Sequence, residues 1–140
     1  MPANAPIDRP ADDVLASLDE RTAQDAQTLV AMMHRITGHE PVVWNVATLG
    51  FDSYHFRYDS GREGDCHALG FHPRNGKLTI YLMDGTERHA ALLSQLGKHT
   101  TSRVCVYLTR LGGIDLEILD QVLQASYAYV KAHDGTMHRA

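Results

Sequence analysis

Cysteine and long apolar runs are both scarce in this 140-residue chain, and each scarcity removes a class of protein. Two cysteines, Cys66 and Cys105, cannot build a disulfide framework. Both fall in apolar runs that read as strands, so reduced thiols in a cytoplasmic protein are expected. No stretch approaches the roughly 18 to 20 apolar residues of a membrane span. Met1–Pro10 has no basic region followed by an apolar run, so no signal peptide is expected. The motifs C-x-x-C, H-E-x-x-H and G-x-S-x-G are also missing, which removes the commonest zinc and nucleophile signatures. What is present, 44% hydrophobic and 21% charged residues, suits one ordered domain rather than a disordered or coiled-coil chain. That domain is expected over residues 10–134, between a flexible arm (1–9) and a flexible tail (135–140).

The formal charge of −4 argues against general nucleic-acid binding. Its distribution says more. Residues 1–40 carry seven acids and three bases, so the whole excess lies there, while residues 41–140 balance at ten and ten. Within that second part, Arg88, Lys98, Arg103 and Arg110 meet no acid between Glu87 and Asp115. The molecule should have an acidic N-terminal face and a basic stretch late in the chain.

Helix signals open the sequence. Pro10 can start a short helix to about Ser17. Asp19 then reads as the cap of a longer helix, whose stripe is Ala23, Ala26, Leu29, Val30, Met33 and Ile36, ended by Gly38. Met32 and Met33 read as core filling. From Val42 the period becomes two, with strands expected at Val42–Val46, Ser53–Tyr58, Asp65–His72, Lys77–Met83 and Arg103–Thr109. Glu87–Leu96 reads as a short helix stopped by Gly97, and the last helix runs from about Leu116 to Ala132, capped by Asp115. The first four strands have links too short for parallel crossovers. The expected fold is therefore α+β: an antiparallel five-stranded sheet with helices packed mainly on one face, in the order α-α-β-β-β-β-α-β-α.

Register decides which side chains the open face of the sheet shows. Asn75–Gly76 accepts positive φ at both turn positions, so Arg74 should pair with Lys77 and Phe71 with Ile80. Leu69, Phe71, Ile80 and Leu82 should then share the core face. For the preceding hairpin, a four-residue loop sets Tyr54 opposite Leu69 and Phe56 opposite His67, and buries Tyr54, Phe56 and Tyr58. A five-residue loop would instead place His55 opposite His67. The first buries more apolar surface, at roughly 25 cal/mol per Å², and is preferred. It leaves Ser53, His55, Arg57, Cys66, His72, Thr79 and Tyr81 on a polar outer face.

Nine histidines raise the question of metal, yet pairs such as His34/His39 and His67/His72 are five apart, wrong for one helix face. His55 and Cys66 would be diagonal neighbours, two ligands where a site usually needs three or four. Gly97–Lys98–His99–Thr100–Thr101 has the look of a phosphate-loop end, but Leu92 stands where that loop needs its first glycine. The segment also follows a helix and leads into a strand. It can still hold an anion, since Lys98, His99 and Arg103 have no acidic neighbours. Candidate ligand-binding residues are accordingly Arg62, Lys98, His99, Arg103, His55 and Tyr81. Trp44, on the first strand, reads as packing.

Several segments resemble one bacterial family, the YdhG-like domain of unknown function. They are Glu40–Pro41–Val42–Val43–Trp44, Gly50–Phe51–Asp52–Ser53–Tyr54–His55 and Ser60–Gly61–Arg62–Glu63–Gly64–Asp65. Further along come Gly70–Phe71–His72–Pro73–Arg74, Leu78–Thr79–Ile80–Tyr81, Leu96–Gly97–Lys98–His99–Thr100 and Ile114–Asp115–Leu116. The family usually has a small residue where Asp52 stands, and often an aromatic where Cys66 stands. The resemblance implies a compact α+β domain and brings no catalytic residues with it. Some relatives are compared in shape with frataxin, which is thought to use an acidic first helix for iron and its sheet surface for partners. By that resemblance Asp12, Asp13 and Glu20 become weak metal candidates and iron the conceivable cofactor. The reading that emerges is a non-catalytic binding or interaction module, monomeric or homodimeric, contacting a small molecule or a protein but neither nucleic acid nor membrane. The alternative is a small enzyme or sensor for an anionic small molecule near Arg62, Lys98 and His99.

Overall fold

Local signals set the helices. In a computed structural model that describes residues 5–58, 60–134 and 137–139, helix α1 spans Ala11–Ala16, with Pro10 as its cap rather than its first residue. Helix α2 spans Glu20–Thr37, where the Asp19 carboxylate accepts the Thr22 amide at 2.8 Å and Gly38, at φ 72°, ends it. Ala26, Leu29 and Met33 lie buried along one stripe, with Val30 and Ile36 packed at its margin. Helix α4 spans Leu116–Ala132, and Asp115 accepts from the amides of Glu117 and Ile118. The expected helix Glu87–Leu96 is split into a 3₁₀ turn, Thr86–His89, and a single α-turn, α3, at Ala90–Leu93.

The sheet runs β1 (Val42–Trp44), β2 (Thr48–Tyr58), β3 (Glu63–Arg74), β4 (Lys77–Tyr81), β6 (Cys105–Leu108), β5 (Thr100–Thr101), antiparallel at every step. The fold is α+β, with four helices packed against this six-stranded open sheet. The sixth strand, beyond the five expected, is β5, and two residues leave no periodicity to read. A short β7 (Met137–Arg139) runs parallel to β2 at Phe56–Tyr58. The remainder of the expected tail, residues 135, 136 and 140, lies outside the described residues, as do residues 1–4 of the expected arm. Residues 5–9 lie along β1: the Ile7 amide donates to the Val43 carbonyl at 2.9 Å, and the Asn45 amide to that of Ala5.

The Asn75–Gly76 hairpin has the expected register, Arg74 with Lys77 and Phe71 with Ile80. Its tip docks on α2: Asn75 accepts the Asp19 amide at 2.8 Å, and the Gly76 amide donates to Thr22. Leu69, Phe71, Ile80 and Leu82 are all fully buried, as expected.

The β2–β3 register differs by three residues from the preferred one. Tyr54 pairs with Cys66 and Phe56 with Gly64, while His55 faces Asp65. Strand β2 starts five residues earlier than expected, which lets Leu49 pair with Phe71 and Phe51 with Leu69. The early part escapes a period-two reading because Asp52 sits at φ 60°, in the left-handed region, and resets the alternation. Before it, Leu49 and Phe51 enter the main core. After it, Tyr54 and Phe56 enter a second cluster with Cys66, Ala68, Met83 and Val130. Tyr54 and Phe56 are thus buried as expected, although their partners are not those expected. The side chain of Tyr58 lies outside the described residues. Cys66 belongs to this inner cluster and not to the polar outer face.

One edge of β2 has three successive partners. Residues 48–50 pair with β1 and residues 56–58 with β7. Between them side chains at and just past the end of α4 take over: Lys131 Nζ of the last turn donates to the Ser53 carbonyl at 2.9 Å, and Asp134, two residues beyond the helix, accepts the His55 amide at 2.7 Å. Backbone groups on this stretch are met by side chains instead of a strand.

Candidate functional site

The six sequence-derived ligand residues do not converge. Lys98 and His99 come together; the other four lie elsewhere. Gly97, at φ 118°, turns the chain out of α3, and a Cβ there would sit 2.7 Å from the Gly113 carbonyl oxygen. The His99 ring then folds back, donating from Nδ1 to the Gly97 carbonyl at 2.7 Å, which fixes it beside Lys98. Across from them, the β4–β6–β5 ladder sets Tyr107 between Thr79 and Thr100. Lys77 lays its ammonium over the Tyr107 ring, 4.8 Å from the centroid.

These residues enclose an open groove of about 540 Å³, lined by Lys77, Lys98, His99, Thr100, Tyr107 and Leu108 among others. The described wall contains two ammonium groups and an imidazole, and no carboxylate. An anion entering it gains Coulomb attraction without having to displace an internal partner. The Tyr107 ring and Leu108 give it an apolar floor. Lys77 and Tyr107 were not legible as site residues, because the β4–β6 pairing that unites them crosses about 30 residues of chain.

Arg62 belongs to the opposite end of the molecule. It lies in the turn before β3, whereas the groove abuts the turn after it, with the twelve residues of β3 between. At about 3.3 Å per residue, that separation rules out one shared ligand of small size. Arg103 is exposed between β5 and β6, where its carbonyl accepts the Thr86 amide at 2.9 Å.

His55 is engaged by acids. Its Nε2 lies 2.7 Å from Glu63 and its Nδ1 3.0 Å from Asp65. The hydrogen bond with Asp65, then that with Glu63, raises its pKa above the ordinary histidine value. Glu63 is correspondingly lowered by its bond to His55 and by the charge of Arg57. Tyr81 is half-buried, its ring 5.2 Å from that of His67, which meets Trp44 edge-on at 5.7 Å. Burial raises the Tyr81 phenol, and its hydroxyl bonds Thr48. Thr48 in turn lies 3.0 Å from His72 Nδ1. Trp44 packs in place, as its strand position suggests.

Asp12, Asp13 and Glu20 are exposed in the first turns of α1 and α2, where negative charge complements the helix dipole. Among the described residues no group of three or more histidine, cysteine or acidic side chains is arranged to hold a metal ion. No helix among them is long and apolar enough to cross a membrane.

Two polar clusters were missed from sequence. Asp84 has no exposed side-chain surface; it accepts the Ser126 hydroxyl at 2.6 Å, and His89 Nε2 lies 2.9 Å from its other oxygen. The three residue types of a hydrolytic triad are here in the wrong order. The carboxylate stands between serine and histidine, so His89 takes no proton from Ser126. The second cluster ties Asp52 to Tyr127 and Lys131 of α4. Comparison with protein-family models, with curated proteins and with solved structures finds no match to this chain.

Proposed function

We propose that this protein is a non-catalytic binding module that takes an anionic small molecule into the groove beside Lys77, Lys98, His99 and Tyr107. The observation that carries the reading is a wall bearing two ammonium groups and an imidazole, with no carboxylate among its described residues, next to an aromatic ring. A ligand joining an acidic group to a flat or apolar body satisfies both parts. The Ser126–Asp84–His89 order gives no activated nucleophile, which favours binding over turnover. The resemblance to the YdhG-like family is consistent with this, since it brings a fold without a catalytic set.

The test is a thermal-shift panel of phosphates, nucleotides and aromatic carboxylates on the full chain. A ligand at a hundred times its Kd stabilises the native state by about 2.7 kcal/mol, which raises the melting temperature by several degrees. The expected result is at least one clear stabiliser whose effect disappears in a Lys77→Ala/Lys98→Ala variant. A flat panel, or a shift that survives the double substitution, overturns the reading.

A further inference from the structure

We infer that Arg88 forms a second, independent site that binds a small monocarboxylate in the cleft between α3 and α4. This cleft has a volume of about 280 Å³ and is walled by Arg88, His89, Ala91, Leu92, Ala125 and Tyr129, with Asp84 at its base. It shares no described wall residue with the Lys98 groove.

The guanidinium is held on two sides. Its Nε lies 3.6 Å from Asp84 Oδ2, and its Cζ lies over the Tyr129 ring, 3.8 Å from the centroid. Both supports are themselves fixed. Asp84 is anchored by Ser126 and His89, and the Tyr129 ring is stacked on His133 with centroids 4.0 Å apart. Among the described residues, the two terminal nitrogens of Arg88 make no hydrogen bond, and the side chain is half exposed. A guanidinium whose inner edge and one face are occupied presents its outer fork in a single orientation. That fork matches a carboxylate with two parallel N–H···O bonds. Such preorganisation lowers the ordering cost of binding.

The rest of the cleft selects the ligand. Asp84 offsets the charge of Arg88, so a monoanion is favoured over a phosphate dianion. Ala91, Leu92 and Ala125 offer short apolar walls to an aliphatic body.

Sodium butyrate, butyramide and inorganic phosphate are the probes, followed by ¹H–¹⁵N NMR on the full chain. Butyrate is expected to shift the Arg88 Nε–H and the amides of Ala91 and Ala125 in a saturable way. Butyramide should cause no saturable shift, and phosphate should bind at least tenfold more weakly than butyrate. Arg88→Lys, which keeps the charge and removes the fork, should weaken butyrate at least tenfold. Ala125→Leu, at an exposed helical position that fills the cleft, should do the same. Lys98→Ala should change nothing, so loss of the first site leaves this one measurable. Unsaturable shifts, equal affinity in Arg88→Lys and wild type, phosphate as tight as butyrate, or changes confined to Lys98 and His99 would each overturn the inference.

Discussion

Tyr127 of α4 donates its hydroxyl to Asp52 Oδ2 at 2.7 Å, joining the last helix to the one residue of β2 that lies in the left-handed region. Lys131 Nζ reaches the same oxygen at 3.3 Å and His39 at 3.6 Å, while the other carboxylate oxygen accepts the Ser53 amide. The carboxylate at this left-handed position is thus itself held by α4.

Removing either partner should loosen the left-handed stretch at Asp52, by unequal amounts. Tyr127→Phe deletes one hydrogen bond to a charged acceptor and should cost about 1.5–3 kcal/mol. Asp52→Ala loses every contact of the carboxylate and adds left-handed strain of roughly 1–2 kcal/mol. Urea unfolding of the two variants gives the order directly. Asp52→Ala should be clearly the less stable, and the reverse order would contradict the role given to Asp52.

The same pair sets an alkaline and an acid limb. Burial, then the Asp52 carboxylate, pushes the Tyr127 phenol up to about 12. Burial alone would raise Asp52, but hydrogen bonds from Tyr127, the Ser53 amide and Lys131 outweigh it and hold the carboxyl below 3.8. A raised tyrosine stabilises the fold fully below its ordinary value of 10.0, and that contribution fades as pH climbs through about 12. The lowered aspartate stabilises above 3.8 and is lost as pH falls through its folded value. A phenolate absorbance titration should find one fewer tyrosine ionising in the ordinary range in wild type than in Asp52→Asn.

Two histidines should titrate in opposite senses. His55, raised above 6.5 by Asp65 and Glu63, stabilises the fold below 6.5, and this is lost as pH rises through its folded value. Glu63, lowered from 4.5, adds stability above that value and loses it on acidification. Their joint contribution is therefore fullest between 4.5 and 6.5. His72, lowered by burial and then by Arg74, does the reverse, losing stability as pH drops below 6.5. NMR titration of the imidazole protons should place His55 above and His72 below 6.5, and Glu63→Gln should bring His55 down.

Gly50→Ala should displace Trp44. A Cβ there would lie 2.5 Å from Trp44 Cδ1 and 2.7 Å from His67 Cβ. Trp44 is 5% exposed, so the ring has to move outward or the strands apart. Overpacking of this kind costs about 1–3 kcal/mol. The expected signature is a lower melting temperature with red-shifted tryptophan emission, and unchanged emission would count against the packing described.

Helices and the Asn75–Gly76 hairpin were legible because their signals are local: Asp19, Asp115 and Gly38 act within a turn of their own position. The β2–β3 register was not. Reading it requires knowing that the alternation is reset at Asp52, whose backbone is left-handed, and an aspartate in an apolar run carries no mark of that. Strand β5 was invisible for its length. Of the candidate site, Lys98 and His99 were readable as acid-free basic positions. Lys77 and Tyr107 join them only through the β4–β6 ladder, and Arg88 gains its meaning only through Asp84, Ser126 and Tyr129 in space. Charge counting overreached with Arg62, because sequence has no measure of which end of a strand a residue occupies.

The three-part protection of β2 makes α4 a guard against polymerisation. Where a strand neighbour would shield residues 52–55, the end of the helix does so through Tyr127 and Lys131, joined by Asp134 just beyond it. Fraying of that helix end on heating would uncover unsatisfied amides and carbonyls ready to recruit another chain. Loss of solubility should thus begin at the C-terminal end of α4, while the main core is still closed.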